Sequence, residues 1–436
     1  MRRRRKGEGP LLAAAIVVTF AHSAASITPA MATSSGSEKK RQHASASAAA
    51  PTDLSLEQRS GHASYGSKVV VTAKLTSAGK PLAGRQISFT SGSNPLGAAV
   101  TDRRGAARFE LAATGSQTIQ ASFAPATPQD AATFQPATSK PLATIVSPVV
   151  KVTVSSPLRA GRKAVGVPGV KLRIRGRVVP FRSGAQVSVR AMRRGRTIKR
   201  SSEALTESGR AGRFSIALKL RRPGRYVVRT SLAASGELGA GRSRAKRLLI
   251  VRPHAGPGSS GAKVRALQGR LKALGYVTSV SGRFDGSTGR AVLAFRKVFG
   301  MQRVSVASRA VFRRLAKGGG RFRVRYPKAG RHVEFDWSRQ ILVLAQGSRP
   351  VKVVHASSGK PSTPTVFGHF HFYSKTPGYN AKGMYYSNYF VGGYAIHGYA
   401  DVPTFAASHG CIRIPIPTAI AVYRWIQLGN DIFVYR

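Results

Sequence analysis

The chain has 436 residues, with 71 Lys or Arg against 15 Asp or Glu, a formal charge of +56 and a single cysteine. A length of this size suggests several domains of roughly 100–200 residues each, and 42% apolar residues with 46 Gly fit folded modules better than a disordered polycation. One cysteine excludes an internal disulfide and any zinc finger or ribbon built on several cysteines.

Such a charge points to a polyanionic partner. The N-terminus argues against nucleic acid. Arg2 to Lys6 form a basic start, Leu11 to Ala21 an apolar run, and Ala30-Met31-Ala32 a cleavage site of the A-x-A kind. This is the pattern of a secretory signal peptide over residues 1–32, with a retained membrane anchor as the alternative. The run is short for a membrane span. An exported chain is expected in the cell wall or elsewhere outside the cytoplasm, where its polyanions are wall polymers or anionic lipid.

Residues 33–52 are small, polar and aperiodic, as in a linker. From 53 to 150 the pattern is β. Val69–Val71, Gln86–Phe89, Ala107–Leu111 and Thr118–Phe123 are short strand-like runs, with turn residues such as Gly79-Lys80-Pro81 and Asp102 to Gly105 between them. Strands at this spacing predict a β-sandwich. The phrases GKPLAGRQISF and TDRRGAARFEL resemble bacterial immunoglobulin-like repeats.

Residues 151–252 repeat the theme and predict a second sandwich. Lys171 to Gly176, Gln186 to Arg190 and Arg213 to Leu218 alternate, with Arg or Lys at many outward positions. This segment holds 27 Lys or Arg against Glu203, Glu207 and Glu237, so it carries +24 of the total. It reads either as a solvated basic face or as a contact for anionic wall polymers or a membrane surface.

A helical segment follows at 257–317. Val264, Leu267, Leu271 and Leu274 share a helix face that Gly275 ends. Ala291, Val292, Phe295 and Val298 predict a second helix, and Ala310 to Leu315 a third. The V-R-x-L-Q opening, the L-G-Y helix end, the F-D-G-S-T turn and the A-V-x-x-F helix resemble a small three-helix peptidoglycan-binding domain. Arg296 stands where that family often has Gln.

Residues 321–436 hold 20 of the 34 aromatics, both Trp, six of ten His and the only Cys. The charge there is modest, 14 basic minus 4 acidic, or +10. Concentrated aromatics and His mark a place where a substrate is held. Within it, Ala395-Ile396-His397-Gly398 precedes Ala407-Ser408-His409-Gly410-Cys411-Ile412-Arg413. Cysteine attacks as thiolate, so it needs a nearby base or positive charge. His409 lies two residues before Cys411, and His397 approaches it only through folding. Gly410 permits close backbone approach and can help present N–H groups to an oxyanion.

The stretch IHGYADVPTFAASHGCIRIP is similar to the signature of the L,D-transpeptidases, the YkuD-like family. The segment SSGKPSTPT, the strand at Gly368-His369-Phe370 and the closing AIAVYRWIQLGNDIFVY agree with the same family, over essentially all of 328–436. The resemblance implies that Cys411 is the acyl-forming nucleophile and His397 the histidine that takes its proton. It implies that His409, counted with the catalytic residues, and Gly410 line the oxyanion site, and that Ser408 is the motif Ser/Thr. Arg413, Tyr394 and Gly398 are the residues expected to meet substrate or order the loop.

The implied reaction is acyl transfer. Cys411 attacks the carbonyl joining the third residue of a tetrapeptide stem to its terminal D-Ala, which leaves. An amine from a neighbouring stem resolves the thioester into a 3→3 cross-link. No ATP and no cofactor are needed, and carbapenems are implied inhibitors at the same thiol. Hydrolysis of the stem is the competing outcome, and a non-catalytic wall-binding protein the competing class.

A zinc cage of His369, His371, His397, His409 and Cys411 is another use of the same side chains. No carboxylate cluster accompanies them in the sequence, so no metal is expected. The tyrosines from Tyr373 to Tyr394 read as a packed flap or as a lid over the donor stem. The expected architecture is a mainly β multidomain chain: two immunoglobulin-like sandwiches (53–150 and 151–252) as a stalk, a three-helix module at 257–317 and a β-rich catalytic domain at 321–436.

Overall fold

A computed structural model describes residues 48–436. The expected signal segment and most of the expected linker lie outside those residues. Among the described residues no helix is long and apolar enough to cross a membrane.

The architecture is mainly β and multidomain, as expected. The first β module sets strand Lys68–Ser77 between Thr52–Gln58 and Ala106–Ala112, all antiparallel. Strand burial alternates along KVVVTAKLTS, which turns Val69, Val71, Ala73 and Leu75 inward. A second sheet supplies Ile87, Phe89, Ile119 and Phe123 to the same core.

In the second β module, β1 (Val149–Ser155), β2 (Lys171–Val179) and β3 (Ala211–Lys219) are antiparallel neighbours. Leu172, Ile174 and Val178 face inward with Phe214, Ile216 and Leu218. Gly176 interrupts the alternation for a steric reason, since a methyl there would meet the Phe214 ring at 2.2 Å. The outward residues of β2 are Lys171, Arg173, Arg175 and Arg177, all exposed. The strand Arg196–Ala204 is exposed along almost its whole length, so it carries no inward–outward pattern that a sequence could show.

The small helical region comprises α1 (Ala262–Ala273), α2 (Gly286–Val298) and α3 (Arg309–Ala316). Gly275, at φ 93°, turns the chain after α1. The F-D-G-S-T phrase is the cap of α2. Asp285 accepts from the Thr288 N–H at 2.8 Å, the Thr288 hydroxyl at 2.7 Å and the Ser287 hydroxyl at 2.8 Å. Asp285→Ala is therefore expected to lower stability by about 1–2 kcal/mol. Urea unfolding reads this directly, and an unchanged midpoint would mean the cap contributes nothing. The unusual Arg296 is buried, and it donates to the Gln302 carbonyl at 2.6 Å and the Ser308 hydroxyl at 3.2 Å. It thereby holds the connection between α2 and α3.

The C-terminal region has two sheets. The first runs in the order β6 (Arg349–His355), β5 (Ile341–Gln346), β4 (Arg331–Asp336), β12 (Asp431–Tyr435), β7 (Gly368–His371). The second runs β8 (Ser374–Tyr379), β9 (Tyr385–Val391), β10 (Tyr394–Tyr399), β11 (Ile412–Pro415). Helix α4 (Ile416–Trp425) packs on β9 and β10.

Strand β5 reads ILVLA without alternation because both of its faces are covered. Leu342 and Leu344 belong to the core shared with α4, while Ile341, Val343 and Ala345 join the core of the three helices. The helical region and the first C-terminal sheet thus share one apolar interior. Lys297, at the end of α2, is buried in this seam. Its ammonium bonds His355 Nδ1 at 2.8 Å and the carbonyls of Ala356 at 3.1 Å and Gln340 at 3.2 Å. The opposite nitrogen of His355 donates to the Val402 carbonyl at 2.9 Å, in the loop that leads to Ser408.

Candidate active site

Strands β10 and β11 run parallel, with His397 in register with Arg413 and Ile396 with Ile412. Cys411 immediately precedes β11, so the turn Ser408–Cys411 delivers it to the end of the strand that pairs with His397. The register puts Cys411 level with Ala395, two residues before His397. His397 is buried and Cys411 half-buried.

The thiol lies beside the turn that joins β9 to β10. Its Sγ is 3.6 Å from the Gly393 carbonyl. Burial pushes the Cys411 thiol up from its ordinary value, opposed by the Ala395 N–H and by the charges of Lys382 and Arg413. Burial also pushes His397 down, and Arg413 adds to that effect. His397 Nδ1 is 3.0 Å from the Gly398 carbonyl. A carbonyl only accepts, so Nδ1 carries the proton and Nε2 is the basic nitrogen.

The turn is braced from several sides. The Ser408 hydroxyl donates to the Cys411 carbonyl at 2.5 Å and accepts the Gly410 N–H at 3.1 Å. The segment 357–365 wraps around it. Thr365 Oγ1 donates to the Gly410 carbonyl at 2.6 Å and Thr363 Oγ1 to the Ser408 carbonyl at 3.1 Å. Ser357 and Arg413 exchange backbone bonds at 2.8 and 3.0 Å. Gln340 holds the wrap from below, accepting the Ser358 N–H at 2.7 Å and donating to its hydroxyl at 2.8 Å. Gly359, Thr363 and Thr365 carry no chemistry of their own and were signalled only by the S-S-G-K-P-S-T-P-T phrase, while Gln340 had no signal in the sequence.

Gly410 is required on two counts. Its φ is +114°, and a methyl there would meet the Tyr394 ring at 2.6 Å. Gly410→Ala is expected to cost about 1–3 kcal/mol of stability. Displacing the turn should also lower the acylation rate at least tenfold, read by mass spectrometry of the acylated protein. An unchanged rate would show that the turn's shape is not needed.

The other expected site residues fall as follows. Tyr394 covers Gly410. Gly398 is buried where an added methyl would meet Ala419 at 2.7 Å, so its small size serves the packing of α4. Arg413 stacks its guanidinium on the Tyr399 ring at 4.1 Å. The His409 side chain is exposed. His369 and His371 lie elsewhere, on the edge strand β7. His369 Nε2 and His371 Nδ1 sit 2.7 and 3.1 Å from Asp431 Oδ1.

A single carboxylate stands beside these two histidines: Asp431 comes from β12, which pairs with β7 only in the fold. The ligand atoms of His369, His371 and Asp431 lie within 4.8 Å of one another, and neither Cys411 nor His397 nor His409 belongs to that group. The hairpin β8–β9 is a packed array of aromatics, with Tyr379 on Tyr385 at 4.5 Å, Tyr385 on Tyr386 at 4.7 Å and Tyr386 on Tyr423 at 5.0 Å.

Residues 330–434 match the L,D-transpeptidase catalytic domain. The chain belongs to the L,D-transpeptidase family. Residues 260–313 match a peptidoglycan binding domain. An L,D-transpeptidase structure from Xylanimonas cellulosilytica is 32% identical, over 42% of this chain and 98% of that one, with a TM-score of 0.40. An L,D-transpeptidase from Stackebrandtia nassauensis is 19% identical over 42% of this chain and 95% of that one, TM-score 0.27. One from Mycobacterium smegmatis is 12% identical over 66% and 99%, TM-score 0.22. Among curated proteins none matches.

Proposed function

We propose that the protein cross-links peptidoglycan outside the cytoplasm by a cysteine acyl-enzyme mechanism. The observation that carries this reading is the braced turn Ser408–Cys411, which sets a half-buried thiol at the end of the strand paired with His397. Both groups rest neutral: burial lifts the thiol and lowers the imidazole. His397 Nε2 takes the proton as Cys411 attacks the carbonyl before the terminal D-Ala of a tetrapeptide stem.

The oxyanion is met by backbone N–H groups of the turn other than that of Gly410, which Ser408 already engages. His397 then returns its proton to the leaving D-Ala amine, and a thioester remains. The side-chain amine of a second stem attacks the thioester, forming the 3→3 link and freeing the thiol. Bond exchange of this kind is close to isoenergetic and needs no cofactor.

The helical region, sharing its interior with the catalytic sheet, docks the enzyme on the same polymer. The β modules at 53–150 and 151–252, immunoglobulin-like in their repeats, form the stalk, and the second offers its basic surface to anionic polymers.

Incubation with tetrapeptide muropeptides tests the reading. Dimers lacking one D-Ala support it. Free tripeptide instead would make the enzyme a hydrolase of the stem, and unchanged muropeptides would leave a wall-binding protein.

A further inference from the structure

The outer face of the second β module carries charge in an arrangement that a solvated surface does not require. In the register of β1, β2 and β3, Lys171 faces Lys219, Arg177 faces Arg213, and Arg177 also faces Lys151. Like charges directly opposite across strands destabilise a sheet. None of these cations makes an ion pair among the described residues.

The face is also concave. One cleft of about 720 Å³ is lined by Lys171, Arg173, Arg175 and Lys219 from the sheet and by Arg313 and Lys317 at the end of α3, with no carboxylate in its wall. A second cleft of about 1280 Å³ shares Arg175 and continues past Arg177 and Arg213, with Glu203 as its single carboxylate. The two form one cationic groove along β2.

We infer that this groove is a binding site for a linear, non-aromatic phosphodiester polymer. Outward residues on a strand repeat about every 7 Å, so β2 presents one cation per step to a chain with one negative charge per repeat. Arginine suits phosphate because its planar fork can donate two hydrogen bonds to one group. A groove accepts a polymer strand, whereas a bilayer surface is broad and needs a flat or convex face. The first cleft has no aromatic residue and the second only Phe214, so the stacking platform typical of single-stranded nucleic acid binding is missing. Bound polymer supplies the countercharge that the facing cations lack. The site is separate from Cys411 and would tether the enzyme to a second wall component. The inference rests on the wall-enzyme reading only for where such a polymer is met.

Binding of the full chain to long-chain inorganic polyphosphate, followed over a salt series, tests it without any catalytic step. Failure of transpeptidation therefore leaves this result intact. Replacing Lys171, Arg173, Arg175 and Lys219 together by Ser should weaken binding at least tenfold. The slope of log K against log salt should fall by about 3, for four lost contacts at about 0.7–0.9 each. A control that removes Arg196, Lys199, Arg200 and Arg225, exposed residues outside the groove, should leave affinity within about threefold. Circular dichroism confirms that both variants fold. Equal loss in both variants overturns the site, as does tighter binding of single-stranded DNA than of polyphosphate. Groove-dependent binding to phosphatidylglycerol vesicles in preference to polyphosphate overturns it too.

Discussion

Cys411→Ala is expected to abolish cross-linking, with a loss of at least about 10³-fold and no new product of any kind. Nothing else in the chain can substitute, because this is the only cysteine. The side chain is small and half-buried, and its partners are backbone groups, the Gly393 carbonyl at 3.6 Å and the Ala395 N–H. Stability should therefore change by less than about 1 kcal/mol. That pairing, lost activity with an intact fold, separates a nucleophile from a buried structural thiol. If the variant still yields the dimers of the parent, the thiol does not carry the reaction. Residual hydrolysis without cross-linking would show that another group activates water.

His397→Gln is expected to lower kcat/KM by roughly 10²–10⁴-fold, the usual worth of a general base. The pH dependence of the parent adds a sharper signature. Burial disfavours the imidazolium, so His397 stays neutral to a lower pH than an ordinary histidine at 6.5. The thiol, pushed above 9.0, remains protonated over the same range. Activity should hold level through neutrality and fall only below pH 6.5, as His397 gains its proton. Alkylation of the resting enzyme by iodoacetamide should be slow at pH 7, because little thiolate is present. An acid limb at or above pH 6.5, or rapid alkylation at pH 7, would point to a preformed thiolate–imidazolium pair instead. His397 also carries the folded stability of a buried neutral group. That stability is complete above the ordinary histidine value and declines as pH falls through it.

The features of the fold and site that are legible in the sequence share one property: their signal is local. Alternation along KVVVTAKLTS marks a strand because only one face is buried. The F-D-G-S-T phrase marks a helix start because the cap is made within four residues. Cys411 and its neighbours stand out because the motif is contiguous and the residue types are rare.

What the sequence hid depends on distant pairing. Strand β5 reads as five consecutive apolar residues, and only the packing of the helical region on its far face explains them. Asp431 lies 62 positions from His369, and the pairing of β7 with β12 brings them together. Thr365 reaches the Gly410 carbonyl across 45 positions. The exposed strand Arg196–Ala204 has no buried face and so no periodicity. The cationic groove was visible only as an excess of Arg, since its concavity arises from the approach of α3 to the sheet.

The seam around Lys297 connects these levels. A lysine on α2, three bonds to the catalytic domain and a histidine that grips the Val402 carbonyl link the helical region to the loop before Ser408.

Acyl-enzyme formation at Cys411 is tested by the mass of the enzyme after brief exposure to a tetrapeptide donor without acceptor. A covalent adduct equal to the donor minus D-Ala is expected, released by hydroxylamine and located on the peptide that contains Cys411. An adduct on any other residue, or turnover of the donor with no adduct at Cys411 under rapid quench, would contradict it.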